Sequence, residues 1–185
     1  PRVLDTADAI HYIESARHLA QGDFFGIDPK IPILYPLLTA LAHFIFADFE
    51  KAGMAVSFLA SVLTIAPVYG VAKALHGRAA AIVSGVTVAI WPWLADYACR
   101  VGNEATGTFW WFLGVYVFMR AMRCGGVWVW LAPWPFFALH LTRPEGMTAL
   151  AAAVVAGFII GWKDDRAVLR RIIPFIIVSV ILLGL

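Results

Sequence analysis

The residues of this chain that could do chemistry fall into four groups. The first opens the chain. Asp5 and Asp8 stand three apart, on the same side of a helix, with His11 and Tyr12 after them. Asp8, Tyr12, Ala16 and Leu19 recur at i, i+4, i+8 and i+11, which gives them one helical face. A carboxylate at the head of a helix facing a membrane is a candidate catalytic or ligand-binding group. The second group is Arg100-Val-Gly-Asn103-Glu104. Asn103 suits an N-cap and Glu104 suits the positive end of the helix dipole, whereas Arg100 calls for an anion or a nearby acid. The third is Thr142-Arg143-Pro144-Glu145-Gly146, a tight turn that carries two opposite charges where an uncharged turn would serve. The fourth is Asp28-Pro29-Lys30 with Tyr35-Pro36 after it, where Lys30 could bind phosphate.

Each group also has a plain structural account. Asp5 and Asp8 would solvate an interfacial helix. Arg143 and Glu145 would pair with each other, which contributes little at a surface. Lys30 would be a solvated loop charge, and His43 and His140 packing or interfacial residues. No His/Cys/Asp cluster has zinc spacing, so no metal is indicated. There is no Walker A loop, no G-x-G-x-x-G and no G-x-S-x-G, and the missing P-loop argues against an ATP-driven pump. The scattered basic residues around these groups give nucleic acid no footprint.

These groups must be positioned by a very apolar chain. It is 62% hydrophobic and 14% charged, with a mean hydropathy of +0.81; soluble domains carry about 25% charged residues. Uncharged runs at 52–72, 79–95, 124–142 and 146–162 reach the roughly 17–20 residues of a spanning helix. The shorter run at 105–119 is extended by a snorkelling Arg120. The expected fold is all-α: a polytopic membrane bundle with helices at about 52–72, 79–97, 105–122, 126–142, 146–162 and 172–185. Residues 1–51 form a first outer loop. Residues 4–21 read as an interfacial amphipathic helix ended by Gly22, residues 22–36 as a Gly/Pro-rich loop, and Ile33–Ala47 as a juxtamembrane or re-entrant helix. Pro67, Pro92, Pro133 and Pro135 are expected to kink helices. The chain opens without Met and stops inside an apolar run, so it reads as a fragment lacking a preceding membrane helix and a C-terminal part.

Charge gives the orientation. Residues 73–78, 120–126 and 163–171 hold eight bases and two acids, a net of +6. Residues 1–51, 96–104 and 143–145 hold six bases and ten acids, a net of −4. The positive-inside rule puts the first set in the cytoplasm, and all four chemical groups on the opposite side. Cys99 and Cys124 then face opposite sides and cannot pair.

Several segments together resemble GT-C glycosyltransferases, in the branch of protein O-mannosyltransferases and lipid A aminoarabinose transferases. Asp8-x-x-x-Tyr12-x-x-x-Ala16-x-x-Leu19-x-x-Gly22 is similar to the start of their first outer loop, and Tyr35-Pro36-Leu-Leu to the Tyr-Pro-x-Leu segment that follows. Val68-Tyr69-Gly-Val-Ala-Lys73-Ala-Leu-His-Gly77 resembles the end of their second membrane helix. Arg100-x-x-x-Glu104 resembles their second acidic loop, and Leu141-Thr-Arg143-Pro-Glu145-Gly146 a turn of prokaryotic members. One departure stands out. Many members have a second acid directly after the first, where this chain has Ala9, so Asp5 or Glu104 is left to partner Asp8.

The resemblance implies transfer of a sugar from a polyprenyl-phosphate donor to a hydroxyl-bearing acceptor, protein, lipid or glycan, with inversion. It would occur at the non-cytoplasmic face of a plasma (inner) membrane. Asp8 would be the general base, with Glu104 or Asp5 beside it. Arg100, Arg143 and Lys30 would meet the phosphate, and Tyr12, His11 and Glu145 would complete the binding surface. No cofactor is expected; some relatives use a divalent ion and others do not. The competing class is a lipid-linked sugar flippase or small-solute transporter, which would place its charges near the membrane midplane. Convergence of Asp8, Arg100, Glu104 and Arg143 on one cavity would favour the enzyme.

Overall fold

The computed structural model of the chain describes residues 7–163 and 166–184. Asp5, a candidate acid, lies outside the described residues. Within them the chain is helical with no strand, as an all-α reading requires.

Helix α1 (Ala7–Ala20) buries Ala9, Tyr12, Ile13 and Ala16, spaced as one helical face, and leaves Asp8, His11 and Arg17 exposed at its rim. The chain turns at Gly22, whose φ of 75° suits glycine and whose N–H donates to the Leu19 carbonyl at 3.1 Å. Helix α2 (Leu34–Phe46) starts inside the stretch expected as loop, with Pro36 in its first turn, where a missing N–H costs nothing.

Helix α3 (Phe49–Ala89) is capped by Asp48, whose carboxylate accepts from the Lys51 N–H at 2.9 Å. It breaks at Gly77 (φ 85°, ψ −173°), between the two spans expected at 52–72 and 79–97. The second of those stretches is broken again. Trp91 is extended and Pro92 starts a separate α4 (Pro92–Ala98), proline being favoured at a first helical position. The stretch 126–142 likewise divides, into α6 (Val127–Leu131) and α7 (Pro133–Thr142), because Pro133 and Pro135 supply no N–H to a continuous ladder. Helix α5 (Glu104–Cys124) precedes these; α8 (Gly146–Lys163) and α9 (Arg166–Leu183) follow.

The first half of α3 meets its neighbours through small residues: Ala52, Gly53, Ser57, Ala60, Ser61 and Thr64 are buried. Such a row lets α2, α4 and α5 approach its backbone closely. A second core forms among α5 to α9, where Phe118 and Phe175 meet edge to face at 5.4 Å and Phe136 lies against Gly114. Large apolar side chains also point outward: Phe58, Leu59, Val62, Val83, Phe158, Ile159, Ile173 and Val180 are exposed. Among the described residues Phe49–Ala89 alone is long and apolar enough to cross a membrane.

The two ends of the bundle differ. At one, Arg123 donates to the Ala74 carbonyl at 2.8 Å, and Arg171 donates to the carbonyls of Met122 and Arg123, closing the C-terminal ends of helical segments. At the other, the start of α1, the loop before α2, the start of α5 and the α7–α8 turn come together.

Candidate active site

These four segments enclose a cleft of about 470 Å³, lined by Asp8, His11 and Tyr12 from α1 and by Asp28, Lys30, Ile31 and Pro32 from the following loop. Asn103, Glu104, Arg143, Pro144 and Glu145 complete it. Its walls are more polar than those of the apolar grooves along the helices.

A local device holds each side chain. Asp8 precedes the buried Ala9, and Tyr12, one turn on, meets the Tyr35 ring edge to face at 5.1 Å. Lys30 is presented by an Asx turn: its own N–H donates to the Asp28 carboxylate at 2.9 Å. The other Asp28 oxygen faces His11 Nδ1 at 3.6 Å, which ties the loop to α1. Glu104 opens α5, and its carboxylate folds back over Gly102, where a Cβ would collide with it. Arg143 is extended, as a residue before proline tends to be. Its stem crosses α5 at Gly107; a Cβ there would stand 2.7 Å from Arg143 Cδ. The Arg143 guanidinium reaches Glu145 at 3.4 Å, a long contact between exposed groups.

The electrostatics are mixed. Tyr12 is pushed up to about 12, first by burial and then by the charges of Glu104 and Asp8, while Arg143 acts in the opposite direction. Both carboxylates and the guanidinium therefore act on one phenol. Glu145 is held below the usual carboxylate range by its own backbone N–H and by Arg143.

The structure thus brings Asp8, His11, Tyr12, Lys30, Glu104, Arg143 and Glu145 together. Arg100 stands apart. It does not line the cleft, and its guanidinium bonds Asp96 one turn back at 2.7 Å. Asn103 precedes α5 but its side chain does not cap it; Nδ2 donates to the Thr142 carbonyl at 2.8 Å and clips the α7–α8 turn to α5. Sequence reasoning named Asp28 and Tyr35 beside Lys30 but gave neither a role; Asp28 lines the cleft and Tyr35 lies behind it. The Asp-Pro-Lys spacing of an Asx turn signals the first; nothing in the sequence shows that Tyr35 is completely buried.

A groove lined by Gly107, Thr108, Trp111, Phe112 and Leu139 adjoins the cleft and shares Arg143 and Glu145 with it. Among the described residues no cluster of His, Cys, Asp and Glu could hold a metal ion.

No curated protein and no solved structure matches the chain. A family model described as dolichyl-phosphate-mannose-protein mannosyltransferase matches residues 30–185, which takes in Lys30, Glu104, Arg143 and Glu145. Asp8, His11 and Tyr12 precede the matched stretch and reach it through the packing of α1, and Asp28 precedes it by two residues. The chain belongs to this family of membrane glycosyltransferases.

Proposed function

We propose that this protein transfers a sugar from a polyprenyl-phosphate donor to a hydroxyl-bearing acceptor at the non-cytoplasmic face of its membrane. The observation that carries the reading is the cleft, where Asp8 and Glu104 share one space with Lys30 and Arg143. Carboxylates and cations are the two things such a transfer needs. Asp8 takes the proton of the acceptor hydroxyl as its oxygen attacks the anomeric carbon. The bond from that carbon to the phosphate oxygen breaks, and the configuration inverts. Lys30 and Arg143 receive the charge that develops on the departing lipid phosphate. Glu104 orients the surroundings of Asp8 and the acceptor. Arg100, spent on Asp96, has no part in this scheme.

The neighbouring groove of Trp111, Phe112 and Leu139 suits the first isoprenoid units of a donor whose phosphate sits at Arg143. The outward apolar side chains of α3, α8 and α9 suit contact with lipid, and the protein is read as multi-pass. Supporting the orientation, the ends rich in arginine gather opposite the cleft.

The decisive test is Asp8→Asn in the intact membrane protein, assayed with a polyprenyl-phosphate sugar. Transfer is expected to fall by at least about a thousandfold, the upper part of what a positioned base supplies, with unchanged solution behaviour in detergent. Wild-type turnover by the variant would overturn the assignment.

A further inference from the structure

Among the described residues Tyr35 is the largest completely buried side chain, and its hydroxyl lies within hydrogen-bond distance of three polar groups. It meets the Gly53 carbonyl at 3.0 Å and Ser57 Oγ at 3.0 Å, both on α3. It also accepts the Gly102 N–H at 2.9 Å. Ser57 Oγ in turn reaches the Gly102 carbonyl at 3.2 Å, so the two hydroxyl protons are shared among the Gly53 carbonyl, the Gly102 carbonyl and the Tyr35–Ser57 contact. Both backbone groups of Gly102 are therefore held by this hydroxyl pair. Glu104 follows two residues later with its carboxylate folded over Gly102. On its other side the Tyr35 ring packs against Tyr12, one turn from Asp8. A tyrosine buried for packing alone needs one hydrogen-bond partner; this one joins α1, α2, α3 and the segment leading into α5.

We infer that Tyr35 is a positioning residue that fixes the Glu104 carboxylate relative to Asp8, acting through Gly102 and with Ser57 as its second hydroxyl. The inference rests on the transferase reading above. Tyr35 touches neither donor nor acceptor, being absent from the cleft lining. Lys30 and the Arg143 stem are held by other devices, the Asp28 turn and the Gly107 crossing, and among the described residues only the Asn103–Thr142 clip links the Gly102 segment to Arg143, so the main effect falls on Glu104. Without the hydroxyl, the Gly102 N–H loses its acceptor, the segment relaxes, and Glu104 moves.

The test is a double-mutant cycle in the intact membrane protein, read by turnover of a polyprenyl-phosphate sugar. Tyr35→Phe is expected to lower kcat by about ten- to a hundredfold with a much smaller change in donor KM, since a misplacement of an ångström can cost about a hundredfold. In a Glu104→Gln background, which leaves the base Asp8 in place, Tyr35→Phe is expected to cause no further loss. Ser57→Ala is the second probe and is expected to follow the same non-additive pattern, so a poorly folding Tyr35→Phe does not decide the matter. Equal losses in both backgrounds, or a change confined to donor KM, would show a role that does not run through Glu104 and overturn the inference. If the unaltered protein transfers no sugar, the transferase reading falls and takes this inference with it.

Discussion

Lys30 and Arg143 reach the cleft from distant parts of the sequence, and each arrives by a backbone device rather than by the length of its side chain. If they hold a phosphate whose charge grows in the transition state, their loss acts on kcat/KM for the donor. Lys30→Ala and Arg143→Ala are each expected to lower it by roughly ten- to a hundredfold, the range of one charge-assisted hydrogen bond. Arg143→Lys recovers only part of this, because an ammonium lacks the planar fork. Steady-state kinetics at varied donor concentration check both. Tyr12 gives a pH prediction. Its folded pKa of about 12 lies above that of a free phenol, so the stability it contributes is complete below about pH 10 and is lost as pH rises towards 12. The loss is on the order of 2–3 kcal/mol. Tyr12→Phe, which keeps the ring against Tyr35, should show a smaller fall in thermal midpoint between pH 9 and 11. At this scale much of the site could be read beforehand: charges in short turns between apolar helices attract notice. Arg100 shows the limit. Asp96 lies four residues before it in the last turn of α4, and that local partner removes it from the cleft.

Helix packing decides what those charges can do. Arg143 crosses α5 because residue 107 has no side chain. Gly107→Ala is expected to push the Arg143 stem aside and lower kcat/KM for the donor several-fold with little change in stability, since the obstructing atom belongs to a flexible chain; paired kinetic and thermal measurements test it. The hydrophobic runs lie in helical stretches of the structure, α3, α5, α8 and α9 among them. They did not show that Trp91 would leave the helix, or that α6 and α7 would separate. A proline in an apolar run is compatible with both a kink and a break, and the neighbouring packing chooses between them. Tyr35 was hidden for the same reason. Its role depends on Gly53, Ser57 and Gly102 being brought to one hydroxyl by three separate elements.

For the whole molecule, the two ends of the bundle carry the argument. Its free thiols test the orientation. Cys99 and Cys124 are both exposed and unpaired. In intact cells a membrane-impermeant maleimide is expected to label Cys99 and to spare Cys124 until the membrane is opened; the reverse pattern would invert the proposed topology. The cleft itself has a consequence for biogenesis. Its walls come from the first helix, the loop at 28–32, the entry to α5 and the turn at 143–145, so its last cation is also the last to be synthesised. A nascent chain that has inserted everything through α6 has Asp8, Asp28 and Glu104 in place but lacks Arg143 and Glu145. It therefore lacks half of the proposed phosphate grip, and the molecule becomes competent only once α7 has folded back onto α5. If the transferase reading holds, synthesis order leaves the half-built chain with Lys30 as its single proposed phosphate contact.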